Sequence, residues 1–315
     1  MEHHTQHPVI TGLKGALRYV RAYRGSTFVL KLGGEVLADG EALEGLAGQV
    51  ALLSSIGIRL VVVHGGGPQV NALSRRLGFE PHLVAGRRVT DARSLEAVKM
   101  VCGGSLNLEL VGALVRHGLH AVGLSGIDAG TLQATRRAPL EVQDDEGQRQ
   151  VVDFGYVGDI QKVDPTLLLA LLDRHFVPVL ASLAGDEEGQ ALNVNADTVA
   201  ESVARALKAE KLIYLTGAPG VMRNRLDPKT VLPFASPEEL RPLLDSGAIA
   251  GGMRPKVEAC IRAATGGVAR THIVDGRAHD ALLVEVFTGS GSGTMIVGQK
   301  EKAAYESEAA EGEQE

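Results

Sequence analysis

The chain has 315 residues, enough to bury a sizeable core as one large domain or two moderate lobes, since domains run about 100 to 200 residues. Hydrophobic residues make up 44% and charged residues 22%, which excludes disorder of the whole chain, while 3% aromatics and no Trp argue against an aromatic-rich β-sandwich. The net charge is −6, but Lys300 to Glu315 holds six Glu and two Lys and carries −4 of it, so the body has no basic field to recruit nucleic acid.

Met1 to Pro8 is polar and His-rich rather than a charged-then-apolar leader, and no run of about 18 apolar residues follows. Cys102 and Cys260 make no disulfide framework and have no zinc or redox spacing. A cytoplasmic protein without a membrane span is expected. His3, His4 and His7 belong to this polar terminus and are not expected to hold a metal.

Val9, Ile10, Leu13, Leu17 and Val20 recur at helical spacing, predicting an N-terminal amphipathic helix within residues 1–25 that Gly25 ends. Gly12 and Gly15 each cost about 1 kcal/mol of helix propensity, so the helix needs its apolar face packed, on its own domain or on another subunit. From Thr27 onward, buried-strand runs (Thr27 to Leu32, Leu60 to Val63, His120 to Leu124, Val177 to Leu180, Lys211 to Leu215, Thr271 to Val274) are separated in several places by helical segments. Those segments are Leu43 to Ile56, Gln69 to Leu77, Leu95 to His117, Pro165 to Asp173, Thr198 to Leu207, Pro237 to Leu244 and Lys256 to Ala264. This alternation predicts an α/β fold with parallel strands and helices on both faces. Thr131 to Arg136 and Val151 to Val157, either side of the polar stretch Glu141 to Gln150, predict an antiparallel hairpin over the sheet. Residues 299–315, rich in Glu and Ala, predict a disordered acidic tail.

In open α/β sheets ligands bind beyond the carboxyl ends of the strands, and glycine, at 39 of 315 residues, gathers there. The first strand runs into Gly33-Gly34. The second runs into His64-Gly65-Gly66-Gly67-Pro68, where backbone N–H groups and a helix start can cradle an anion. No Gly-Lys-Ser/Thr follows, so this is no Walker A loop, and no Gly-x-Gly-x-x-Gly follows a strand. Lys31 lies inside an apolar strand and is expensive to bury unless it meets an anion or partner charge. Asn193, Asn195 and Asp197 alternate with Val194 and Ala196 where a helix opens, and one N-cap would explain only one of the three. Lys256 sits near a helix start that disfavours a cation unless an anion intervenes.

The order Lys-x-Gly-Gly, His-Gly-Gly-Gly-Pro, Gly86-Arg87-Arg88-Val89-Thr90-Asp91, Asn-Val-Asn-Ala-Asp, Pro219-Gly220-Val221, Gly251-Gly252-Met253-Arg254-Pro255-Lys256-Val257 and His272-Ile273-Val274-Asp275-Gly276-Arg277 resembles the acetylglutamate kinases, within the amino-acid kinase superfamily. The likeness runs from Thr27 to Val297. It implies a three-layer αβα sandwich with a mainly parallel sheet of about eight strands. The implied domain is residues 26–298, with an acceptor lobe at 26–192 and a nucleotide lobe at 193–298. The implied reaction is ATP-dependent phosphorylation of the side-chain carboxylate of N-acetylglutamate in arginine biosynthesis. A carboxylate, with a reference pKa of about 4.3, is already ionised at neutral pH, so no general base is needed and positioning plus charge stabilisation suffice.

By matching position, the resemblance makes Lys31, Lys256 and Asp197 catalytic, with the lysines on either side of the transferring phosphoryl group and Asp197 orienting both. It gives backbone donors at Gly33, Gly34, Gly65 and Gly66, a carboxylate clamp at Arg88, and acceptor contacts at Asn193 and Asn195. Thr216, Pro219, Gly220, Val221, Met222, Gly252 and Met253 would line the ATP pocket beside Gly33 and Gly34. Mg²⁺ would ride mainly on phosphates and water, with no protein metal cage. Members inhibited by arginine resemble this chain in their N-terminal helix, which interlaces dimers into a homohexamer, and in an effector pocket matched here by Tyr19, Lys211, His272, Glu285 and Gly291.

Several positions depart from the family pattern. Gly217 stands where Asp is usual, Ser105, Leu108 and Ile127 replace lysines, and Arg254 replaces an apolar residue. A kinase of succinylglutamate or of carrier-linked aminoadipate, and a non-catalytic arginine-binding regulator, therefore stay open as alternatives.

Overall fold

The computed structural model describes residues 8–143, 149–224, 227–289 and 291–298, so the expectations for the His-rich terminus before Pro8 and for the tail at 299–315 lie outside the described residues. After α1 (Pro8–Tyr23) the chain enters β1 (Thr27–Leu32), passes through α2 (Gly34–Leu37) and α3 (Gly40–Ser55) to β2 (Arg59–His64), and continues into α4 (Gly67–Arg76). A small ribbon, β3 (Leu83–Val84) and β4 (Arg87–Arg88), precedes α5 (Ala92–Met100), α6 (Leu106–Arg116) and β5 (Ala121–Ser125). Next come β6 (Leu132–Arg136), β7 (Leu140–Gln143), β8 (Arg149–Val152), β9 (Gly158–Val163), α7 (Thr166–Leu172), β10 (Val177–Ala181), β11 (Leu183–Gly185) and β12 (Ala191–Asn193). The remainder is α8 (Ala196–Ala206), β13 (Lys211–Thr216), β14 (Phe234–Ala235), α9 (Pro237–Asp245), α10 (Met253–Thr265), β15 (Arg270–Asp275), α11 (Ala281–Phe287) and β16 (Thr294–Ile296).

Eight strands form the central sheet in the order β14-β16-β15-β13-β1-β2-β10-β5, and every neighbouring pair is parallel except β15 with β16. Such a sheet must be covered on both faces, and the pleat of β1 shows how. Phe28, Leu30 and Leu32 pack toward α3, α6 and α11, whereas Val29 packs toward α7, α8 and α10. The fold is thus the expected α/β three-layer αβα sandwich.

The inserted hairpin differs from its sequence reading. β6 pairs with β9, at Gly158–Val163, and not with the residues before it, while β8 pairs with β7 as a satellite ribbon. Burial decides the register: Leu132 and Ala134 point into the core beside β9, whereas Val151 in β8 is exposed. The run Gly158–Val163 alternates too weakly in hydrophobicity to be read as a strand.

The single helix expected over Leu95 to His117 is interrupted by a π-helical turn at Val101–Ser105, with Gly104 at φ −118° and ψ −105°. Ala92–Arg116 is long and apolar enough to cross a membrane, yet Leu95, Val98, Leu106, Leu110 and Leu114 are buried within the protein. The kink brings Cys102 against Gly66 and Asn107 against His64, beside the strand ends where ligands bind.

Candidate active site

β1 and β2 end side by side, with Leu32 opposite His64. Beyond these two strand ends, backbone and small groups pack closely. A Cβ at Gly34 would lie 2.7 Å from Pro68 Cδ, and one at Gly66 would lie 2.9 Å from Cys102 Sγ. Gly66 has an extended φ of 176°, so close approach, not an unusual conformation, demands glycine there. α4 then starts with Pro68 in its first turn and no side-chain cap, which leaves its opening N–H groups for an anion.

Above these glycines lies a cleft of about 220 Å³. It is lined by Lys31, Gly34, Gly65, Gly66, Arg88, Asn193, Asn195 and Asp197, eight positions singled out from sequence. Val70, Val98, Cys102 and Ser182 also line it and were not anticipated as site residues. Ser182 directly follows β10, so the rule that sites gather after strands could have found it; the others lie on elements with no polar signature.

Lys31 shares the pleat face of Val29, toward α8, and α8 carries Asp197 in its first turn. Lys31 Nζ stands 2.7 Å from Asp197 Oδ1, an ion pair without hydrogen-bond alignment, and Lys256 Nζ stands 3.4 Å from Oδ2. Lys256 also donates to the carbonyl of Gly252 at 3.0 Å. Burial pulls the Lys31 ammonium below its usual range, against the pull of Asp197. Burial alone would raise the Asp197 carboxyl, but Lys31 and then Lys256 outweigh it and hold the group ionised. Two cations therefore share one buried carboxylate, and of the two Lys31 lines the cleft beside Asp197.

Arg88 donates through Nη2 to Asn71 Oδ1 and, at 3.3 Å, to the carbonyl of Gly67, while its buried Nη1 has no partner among the described residues. A carboxylate would satisfy it. Asn193 donates to Thr90 Oγ1 at 3.1 Å, whereas Asn195 spends its side-chain oxygen capping α8, at 2.7 Å from the Asp197 amide and 3.3 Å from that of Thr198. His64 is buried, and burial lowers its pKa to about 4. The neutral ring donates from Nδ1 to the Gly65 carbonyl at 2.9 Å and accepts at Nε2 from Asn107, also at 2.9 Å, which is a structural role.

Of the positions read as an ATP pocket, Gly34 lines the cleft and Gly33 stands beside it after β1, while the others lie beyond β13 and at the start of α10, next to Lys256 but outside the cleft. Gly33 donates to the Leu215 carbonyl at 2.8 Å, and Thr216 Oγ1 accepts from Ala218 at 3.2 Å. Pro219 stays partly accessible, as do Met222 and Met253, and Gly252 is exposed at the foot of α10. Val221 is fully buried, its amide donating to Thr294 Oγ1 and its carbonyl accepting from Leu232. It supports the turn from beneath and leaves no surface for a ligand. Gly220, at φ 150°, allows that turn to press on Thr294.

The residues matched to an effector pocket also converge, at the opposite end of the strands. Lys211 donates to His272 Nε2 at 3.1 Å, and His272 Nδ1 donates to Glu285 Oε1 at 2.6 Å. Glu285 Oε2 accepts from the amides of Ser292 and Gly293, and a Cβ at Gly291 would lie 2.8 Å from it. Tyr19 stacks on Tyr23 and meets Phe287 edge-on, which docks α1 on α11. Burial, followed by Lys211, lowers the His272 pKa to about 4; burial lowers Lys211 to about 7; and Glu285, against its burial, is held at about 2 through His272 and the Ser292 amide.

Folded His272 thus binds its proton only near pH 4, whereas the unfolded chain binds it near 6.5. Stability falls as pH drops through that window, because the unfolded state takes up more protons. His272→Gln should flatten the fall in thermal midpoint between pH 6.5 and 4, leaving the part due to His64. Identical slopes for variant and wild type would contradict this assignment.

Comparison with known proteins agrees with the geometry. Residues 26–275 match the model of the amino acid kinase family. An acetylglutamate kinase of Myxococcus xanthus is 45% identical over 288 residues, 91% of this chain and 94% of the relative, and one of Heliobacterium modesticaldum is 43% identical over 282 residues, 90% and 95%. Among solved structures, N-acetylglutamate synthase of Neisseria gonorrhoeae, complexed with coenzyme A and N-acetyl-glutamate, superposes with a TM-score of 0.78 at 32% identity. That match covers 93% of this chain and 64% of the synthase chain. Carbamate kinase of Giardia lamblia, at 17% identity and TM-score 0.61 over 87% and 99% of the two chains, shares the fold. The chain belongs to the amino acid kinase family and, within it, to the acetylglutamate kinases.

Proposed function

We propose that the chain transfers the terminal phosphoryl group of ATP to the side-chain carboxylate of N-acetyl-L-glutamate, a step of arginine biosynthesis in the cytoplasm. A carboxylate oxygen attacks the terminal phosphorus, the bond to ADP breaks, and an acyl phosphate and ADP leave. The observation that carries this reading is the pair of lysines sharing Asp197, with Lys31 and Asp197 in the wall of the glycine-lined cleft and Lys256 behind them. Such a site is short of negative charge, and two anions brought together supply it.

In this reading Lys31 meets the phosphoryl group from the acceptor side and Lys256 from the nucleotide side. Gly34, Gly65 and Gly66 give backbone donors, whereas the Gly33 amide, expected among them, is spent on the Leu215 carbonyl; Arg88 and Asn193 hold the acceptor, with Asn195 fixing the start of α8. Thr216, Pro219, Gly220, Met222, Gly252 and Met253 border the nucleotide, the acceptor lobe being residues 26–192 and the nucleotide lobe 193–298. Among the described residues no group of three or more His, Cys, Asp or Glu is placed to hold a metal ion. A site built of lysines and amides fits Mg²⁺ carried by the phosphates of ATP, where it would offset their charge.

Arginine is the proposed feedback inhibitor, its guanidinium taking the Glu285 carboxylate over from His272 and the Ser292 and Gly293 amides that hold it here, with Tyr19, Lys211, His272 and Gly291 around it. That site lies beneath α1, the helix proposed to join dimers into a homohexamer. An exposed row at Leu108 and Val115 and the unpaired edge of β5 support association of at least two copies.

The direct test is hydroxylamine-trapped acyl phosphate formed with ATP and N-acetylglutamate, N-succinylglutamate, aspartate or no acceptor, each with and without arginine. Turnover selective for N-acetylglutamate and suppressed by arginine is expected; silence with every acceptor would defeat the kinase reading. Arg88→Lys, which cannot offer a planar pair of donors, should raise KM for the acceptor about tenfold or more while leaving KM for ATP unchanged. An unchanged acceptor KM would remove Arg88 from the substrate.

A further inference from the structure

Three neighbouring parallel strands, β1, β13 and β15, end together, and beyond them stand Glu35, Gly217 and Arg277. Arg277 donates through Nε to Asp275 Oδ1 at 3.1 Å and through Nη2 to Asp275 Oδ2 at 3.2 Å. The same Nη2 donates to the carbonyl of Gly217 at 2.5 Å. A planar guanidinium held on both oxygens of a carboxylate aims its remaining contact in a fixed direction. The first peptide of the turn leading to Val221 is thereby pinned.

On its other side Gly217 meets α2. A Cβ at position 217 would run into Glu35 Oε2 and would lie 3.3 Å from Arg277 Cζ. Gly217 does not have a positive φ, so its backbone does not require glycine. The missing side chain is accounted for by the carboxylate that fills its place. Glu35 and Asp39 add negative charge around Arg277 beside that of Asp275, and Gly33, at the start of α2, is itself tied to the Leu215 carbonyl in β13.

We propose that Glu35 and Arg277 are positioning residues that latch the turn 217–222 to the start of α2 across Gly217, and so fix the nucleotide against the glycines that receive its terminal phosphate. The latch rests on the proposed nucleotide role of that turn. It acts through the loop backbone, so nucleotide affinity should change while the acceptor cleft does not.

The test is ADP binding by calorimetry, alongside KM for ATP and for the acceptor and the thermal midpoint. In Gly217→Ala the flexible end of Glu35 swings out to admit the methyl group. This should weaken ADP binding and raise KM for ATP about threefold to tenfold, with acceptor KM and thermal midpoint unchanged. Glu35→Ala should do the same without any new atom at position 217. The double variant Gly217→Ala/Glu35→Ala should be no worse than either single one, and Arg277→Lys, unable to span both Asp275 and Gly217, should fall between Arg277→Gln and wild type. Wild-type ADP affinity in Gly217→Ala and Glu35→Ala, or effects that multiply in the double variant, would overturn the latch while leaving the kinase reading intact. A wild-type protein that binds no ADP would overturn both.

Discussion

Asp197 holds two ammonium groups that the sequence places 225 residues apart, Lys31 on the middle of the sheet and Lys256 at the foot of a helix. One carboxylate cannot neutralise both, and burial makes the excess positive charge costly until an anion arrives. Much of the surrounding structure serves this arrangement. The pleat of β1 turns Lys31 toward α8, Asn195 caps that helix at the residue before it begins, and the Tyr214 hydroxyl donates to the Asp197 carbonyl at 3.0 Å. Removing Asp197 would leave the buried Lys31 ammonium without its carboxylate and Lys256 with only the Gly252 carbonyl, so its role in folding and its role in chemistry cannot be separated by deletion.

The second constraint is steric. Phosphoryl transfer between two anions needs them within bonding reach, and the chain brings them together by stripping side chains from the ends of β1 and β2. Gly34 packs against Pro68 and Gly66 against Cys102 with no room for a Cβ at either. In the proposed reading the amides of Gly34, Gly65 and Gly66 meet the phosphoryl group, and preorganised donors of this kind stabilise developing charge without rearranging during the reaction. His64, neutral and bonded at both ring nitrogens, holds the glycine turn in place rather than exchanging protons.

Sequence made part of this legible because some residues were expensive where they stood. Lys31 in an apolar strand and three polar residues at one helix start each demanded a partner, and each has one. The layers and the long strands could be read from hydrophobic runs and their spacing. Other features carried no such signature. The partner of β6 is weakly patterned, and Val70 and Val98 are ordinary apolar helix residues until the cleft forms around them. Arg88 was noticed only through a resemblance, since an arginine beside another on a short ribbon looks like solvated surface. Val221 illustrates the opposite error: it sits in a motif associated with nucleotide, yet the fold tucks it beneath the turn against Thr294. Contacts across some sixty residues, such as Arg277 to Gly217, cannot be read from local pattern at all.

The account stands most directly on the claim that both lysines, acting from opposite sides of the phosphoryl group, are needed for its transfer. Single-turnover formation of acyl phosphate at saturating ATP and acceptor, in Lys31→Met and in Lys256→Met, isolates that step from binding. Each variant should keep the native fold and lose about 100-fold or more in rate, the usual cost of removing one preorganised donor from developing charge. A wild-type rate in either folded variant would contradict the two-sided arrangement around Asp197.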